Sequence, residues 1–190
     1  MNDGKNIILG FDMDGVLVNN TLPKIRLAKS LGFRLSPEQT PSEVIPSYLP
    51  APVLRELQGN LYDNIEEALR TPLMSGAKGI LAAVQKSGIP YFLISRRRVP
   101  HIAEAILKRH GLWPRYFSEK NAFFVLEPED KDEKASELGI THYVDDELKI
   151  INRLASVKNR FLFDQFNIFE KAANYTKISS WGEFKEHVLG

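Results

Sequence analysis

"ILGFDMDGVLVNN", residues 8–20, places two aspartates one residue apart, behind an apolar run and just ahead of a glycine. The run that feeds it, "NIILGF" (6–11), shows no polar alternation and carries two isoleucines. That is the pattern of a strand buried on both faces. Asp12 and Asp14 would then stand at the carboxyl end of a buried strand, with Gly15 letting the chain leave sharply beside them.

Outward from this stretch, short apolar runs alternate with helical patterns. Further strands are predicted at "IPYFLIS" (89–95), "NAFFVLE" (121–127), "ITHYVDD" (140–146) and "NRFLFD" (159–164). Helices are predicted at 76–88, 99–111, 130–139, 147–156 and 180–189. Gly88 and Gly111 read as stops, and Pro100 fits a first helical turn. Strands alternating with helices of this length predict an α/β fold, a parallel sheet covered by helices on both faces.

Residues 19–72 break the rhythm. They hold no convincing buried strand, and five of the chain's eleven prolines fall between Pro37 and Pro52. "SPEQ" (36–39) and "TPSE" (40–43) both read as helix starts, with Ser36 or Thr40 as cap. "NLYDNIEEALR" (60–70) reads as an amphipathic helix. The expected division is a core of residues 1–18 and 73–190 with a small helical cap inserted at 19–72. An irregular extension that merely completes the core is the plainer alternative. The insertion follows a candidate site directly, a position where loops carry function, and this favours a cap.

Composition sets the bounds. The 190 residues are 43% hydrophobic and 26% charged, enough for one domain with a real core. The formal net charge of +1 gives no broad field for nucleic acid or membrane. There is no cysteine, which removes disulfides, thiolate metal sites and a cysteine nucleophile. The polar start "MNDGK" lacks a targeting pattern, and no apolar stretch approaches a membrane span. A cytoplasmic soluble protein is expected. No signal for oligomeric state is present.

In a parallel α/β sheet, ligands gather at the carboxyl ends of the strands. The first predicted strand ends at Asp12 and Asp14, the second at Ser95 and Arg96, and the fourth at Asp145 and Asp146; the third leads through a loop to Lys131. Singly, each has an ordinary reading. Asp12 and Asp14 could form a turn, Asp145 and Asp146 could cap the next helix, and Ser95 could do the same. Together they bring carboxylates, a hydroxyl and a cation to one edge. Clustered carboxylates repel unless a cation lies between them, and hard oxygen ligands suit Mg²⁺ with a substrate phosphate. An aspartate can attack phosphorus, and a second acid can protonate the leaving group and then activate water.

"FDMDGVLV", "FLISRR", "DKDEKASELGI" and "HYVDD" resemble, in order and rough spacing, the four motifs of the haloacid dehalogenase-like superfamily, over residues 7 to 164. The resemblance implies a Rossmann-like core, a Mg²⁺ cofactor and, most often, hydrolysis of a phosphate ester. Residue by residue, it implies Asp12 as nucleophile and metal ligand, and Asp14 as general acid/base with its backbone carbonyl on the metal. It implies Ser95 and Lys131 as phosphate-binding groups and Asp145 as a further metal ligand. The insertion resembles that family's helical cap of the first type. Dehalogenases of the family lack a carboxylate at the position of Asp14, so its presence favours phosphoryl transfer. Many members carry an aspartate where Lys149 stands here, which leaves Asp146 to supply the second carboxylate.

Lys131 rather than Lys134 is expected at the site. It begins the helix after the third strand and aligns at helical spacing with Ala135 and Leu138. "SRR" (95–97) also resembles a Thr/Ser-x-Arg segment of nucleotide-directed phosphatases in the superfamily, which implies a substrate contact by Arg97; Arg96, at the intervening position, is a further candidate. Positive charge at a helix start opposes the helix dipole, and this points to an anion nearby. The alternative is three solvated arginines. Tyr48, Arg55 and Tyr62 are further candidate contacts, with packing or exposure as the alternative. Trp113 and Trp181 read as packing anchors, and the four histidines show no ligand spacing. The expected function is Mg²⁺-dependent hydrolysis of a small phosphate monoester, with a nucleotide-like substrate one option. A phosphomutase and a non-catalytic binding protein are the alternatives. A phosphatase on nucleic-acid ends rests only on Arg96, Arg97 and Arg98, and the near-neutral charge argues against it.

Overall fold

The computed structural model describes residues 6–190; the polar start at 1–5 lies outside the described residues. Six strands, β1 (Leu9–Phe11), β2 (Tyr91–Arg96), β3 (Ala122–Val125), β4 (His142–Asp145), β5 (Asn159–Phe163) and β6 (Thr176–Ile178), form one parallel sheet in the order β3-β2-β1-β4-β5-β6. β1 lies in the middle, with Phe11 opposite Leu93 on one side and Val144 on the other. The predicted parallel α/β architecture is present.

Helices cover both faces, because the strands are apolar on both. On one face Leu9 and Phe11 pack with α4 (Ala77–Lys86), α5 (Pro100–Arg109) and α8 (Trp181–Leu189). Trp181 is an anchor there, its ring 5.7 Å from Phe11 and 5.4 Å from Phe184. On the other face Ile94, Tyr143 and Leu162 pack with α6 (Asp130–Glu137) and α7 (Leu148–Arg153). Gly10 has a packing reason: a Cβ there would lie 2.4 Å from the Tyr143 ring, whose hydroxyl donates to the Ile94 carbonyl at 2.8 Å. Among the described residues, no helix is long and apolar enough to cross a membrane.

The regular elements between β1 and β2 ahead of α4 are all helical: α1 (Thr21–Ser30), two 3₁₀ turns (Pro37–Gln39 and Ile45–Ser47), α2 (Ala51–Asp63) and α3 (Ile65–Ala68). This segment has its own apolar cluster, including Leu27, Ile45, Leu57 and Leu61. The chain leaves and returns at one point, where Val18 bridges Leu73.

Several details correct the sequence reading. Ser36 starts a turn with a capping box, as read, but "TPSE" starts no helix; its residues form turns before Ile45. The helix expected at 60–70 is two helices. Asn64 breaks it with extended backbone and accepts from Glu66 N and Glu67 N, so α2 ends and α3 is capped. Neither α1 nor β6 was expected.

Candidate functional site

Asp12 follows β1, and its N–H continues the sheet ladder to the Val144 carbonyl at 2.9 Å. Asp145 ends β4, and Asp146 follows it. The strand register therefore brings three carboxylates to one point, with an oxygen from each within 4.8 Å of the others. Asp146 leans over Gly15, where a Cβ would fall 2.1 Å from its Oδ2; Gly15 also has a φ of +73°. Both facts require glycine at that position.

Lys131, in the first turn of α6, is buried, and its Nζ donates to Asp12 Oδ1 and to Asp145 Oδ2, each at 2.7 Å. Lys134 points away and pairs with Glu137. Asp145 uses its other oxygen to accept from Glu147 N at 2.9 Å; Glu147 is itself the residue ahead of α7, so this bond fixes the turn before the helix, and the helix-capping reading fails because α7 has no side-chain cap.

Burial dominates the electrostatics. It pushes Asp12 up to about 7; Lys131 opposes this, and Asp145 and Asp14 add to it. Burial also raises Asp145 against the pull of Lys131. Asp146 is raised well above the carboxylate range by burial, then by Asp145, Glu147 and Asp12. At Lys131 burial works downward, but the two carboxylates win and lift the ammonium well above its ordinary value. Three converging carboxylates that resist ionisation together are a donor set that fits a hard divalent cation.

Asp14 lies beside this cluster. Asn20 Nδ2 donates to its Oδ1 at 2.9 Å, and Arg97 Nη2 lies 2.5 Å from its Oδ2. Arg97 is 4% exposed, so the solvated-arginine reading fails for this residue. Its guanidinium lies over the Tyr62 ring of α2, 5.0 Å from the centroid. Arg96 is partly exposed, 3.7 Å from Glu147 Oε2, which also pairs with Lys149 at 3.0 Å. Ser95 is buried at the end of β2. Asp12, Asp14, Ser95, Arg96, Arg97, Lys131 and Asp146 all line one cavity of about 680 Å³, which α2 helps to wall; Asp145 touches it through Lys131.

Four residues of this neighbourhood were missed in the sequence reading or named there without a place. Lys24, buried on α1, donates to the Thr40 carbonyl at 2.9 Å. Burial lowers its ammonium, while Asp146, Asp14 and Glu147 pull it back up. Asn20 and Glu147 were passed over, and Tyr62 was left open between contact and packing. The helical spacing of Arg55, Gln58, Gly59 and Tyr62 was the available signal, since these residues share one face of α2 and all line the cavity.

No family model matches the sequence, and no curated protein matches it. Solved structures do match. A HAD family hydrolase from Deinococcus radiodurans, solved with bound phosphate and sodium, superposes with a TM-score of 0.63 at 16% identity, over 97% of this chain and 95% of that one. A protein assigned as a beta-phosphoglucomutase from Thermotoga maritima gives 0.62 at 18% identity, over 96% and 100%. A HAD-superfamily hydrolase of subfamily IA from Geobacter sulfurreducens gives 0.60 at 19% identity, over 100% and 99%. With its six-stranded parallel sheet and helices on both faces, the chain has the Rossmann-like α/β fold of the HAD-superfamily hydrolases.

Proposed function

We propose that this chain is a Mg²⁺-dependent phosphatase that hydrolyses a small phosphate monoester through an aspartyl-phosphate on Asp12, with residues 19–72 as a cap over the site. The carrying observation is the convergence of Asp12, Asp145 and Asp146 within 4.8 Å, with Lys131 bridging two of them and Asp14 alongside.

In this reading an Asp12 oxygen bonds to phosphorus as the ester P–O bond breaks, and Asp14 gives the leaving oxygen its proton. Asp14 then takes a proton from water as that water attacks the acyl phosphate, releasing phosphate and restoring the Asp12 carboxylate. Lys131 has two of its three donors on Asp12 and Asp145, which leaves one for a phosphoryl oxygen. Ser95 supplies a hydroxyl to another. Asp12, Asp145 and Asp146 would hold Mg²⁺, which when bound keeps Asp12 ionised and neutralises charge on the phosphoryl oxygens. Asn20 and Arg97 orient Asp14 from both of its oxygens.

Phosphate release from an aryl phosphate, with and without Mg²⁺, tests this. Asp12→Asn should cost on the order of 10⁴ or more in rate while the fold is kept. A variant that keeps a tenth of the activity would rule out the covalent route. The likeness to the Thermotoga maritima protein favours a second reading, phosphomutase, which uses the same residues but passes the phosphoryl group to a substrate hydroxyl. Tracking labelled phosphoryl to water or to a second hydroxyl separates the two.

A further inference from the structure

The proposed chemistry uses the inner end of the cavity and leaves its outer end unexplained. Arg97 is almost wholly buried, yet among the described residues its Nε has no hydrogen-bond partner, and its Nη2 meets only Asp14. A buried guanidinium donor left unpaired is costly unless a ligand oxygen completes it. Arg97 adjoins Asp14, the acid placed at the leaving oxygen, so that ligand oxygen belongs to the alcohol side of the ester. Two more arginines line the same cavity, Arg55 from α2 and Arg98 from the loop after β2, and neither pairs with an acid among the described residues. Asp63 and Glu127 share this rim and are exposed, as Arg55 and Arg98 are, so the sign of the rim is set at its one buried member, Arg97. The deepest unfilled demand, at Arg97, is therefore for an acceptor. Between Arg55 and Tyr62 stands Gly59, in the interior of a 13-residue helix, where an added Cβ would meet nothing within 4 Å. No packing explains this glycine, and it keeps the cavity wall recessed beside Arg55.

We propose that the leaving alcohol of the substrate carries a second anionic group, carboxylate or phosphate, received by Arg97 together with Arg55 and Arg98. This rests on the phosphate-ester reading and narrows its substrate class. It is tested by calorimetric binding of non-hydrolysable probes to the wild-type protein with excess Mg²⁺. The probes are phosphonoacetate and its homologues with one and two further methylenes, the chain-matched alkylphosphonates, and the chain-matched bisphosphonates. At one or more lengths, a carboxylate-bearing probe or a bisphosphonate should bind about tenfold or more tighter than its alkyl counterpart. Which of the two is preferred identifies the second anion. Arg55→Ala, Arg98→Ala and the conservative Arg97→Lys should each reduce that preference. Equal binding of singly and doubly anionic probes at every length would overturn the subsite and leave the phosphatase reading standing. So would a preference that survives all three substitutions. If no phosphonate binds at all, the phosphate-ester reading falls, and the subsite falls with it.

Discussion

Burying Lys131 between Asp12 and Asp145 strips water from three charged groups, and two bonds of 2.7 Å offset that cost. Either partner alone would leave an uncompensated buried charge, so the three act as a unit. On the proposed mechanism, Lys131→Ala should therefore lower phosphate release by about 10² or more, since it would remove the donor assigned to the phosphoryl oxygens and loosen Asp12. Lys134→Ala, which breaks only a surface pair, should change activity less than about twofold. The reverse result in a phosphate-release assay would mean the wrong lysine is in the reaction. At this scale the sequence was most legible where an apolar run ends in a polar residue. Asp12, Ser95 and Asp145 all stand at strand ends, and the parallel order brings strand ends together. Lys24 and Asn20 were not legible, because which way a residue just beyond such an end faces depends on how the following segment docks.

The elements around the site differ in how plainly they announce themselves. The central strands are continuous apolar runs and were read to within a few residues. β6 has three residues, "TKI", two of them only partly buried, and carries no such run. α2 was read about nine residues late. Pro50 and Pro52 look like loop residues but start the helix, where missing N–H groups cost nothing, and Gly59 looks like a break but is interior. That glycine offers a test of what the helix is for. Gly59→Ala should raise stability by about 0.5–1 kcal/mol from helix propensity alone, or a few degrees in Tm. It should also raise KM, because the methyl group enters the cavity. A variant that gains stability with KM unchanged would show that α2 stands clear of the substrate.

Across the whole molecule, the carboxylate cluster couples folding to protons and, on the proposed reading, to metal. Asp12 is raised from its ordinary 3.8 to about 7, so the folded state holds this proton more tightly than the unfolded chain. Its contribution to stability is complete below about pH 4 and is lost as pH rises through about 7. Asp145 and Asp146 are raised too and act in the same direction. Glu147, which is lowered, works the other way, but only below the ordinary glutamate range. Lys24, lowered by burial, gains with rising pH instead. The metal-free protein should thus show a Tm that falls between about pH 5.5 and 7.5, with the fall reduced in Asp12→Asn. Mg²⁺ should raise Tm more at the higher pH, since it binds the ionised acids. A thermal-shift series with equal Mg²⁺ effects at both values would place the ion elsewhere.

The central claim is that Asp12 carries the phosphoryl group, and acid-quench mass spectrometry during turnover reads it directly. The account predicts the mass of one phosphoryl group on the peptide containing Asp12, dependent on Mg²⁺ and absent in Asp12→Asn. In Asp14→Asn the adduct should persist longer, because water is no longer activated. Turnover with no adduct in either the wild type or Asp14→Asn, or an adduct on another residue, would contradict it.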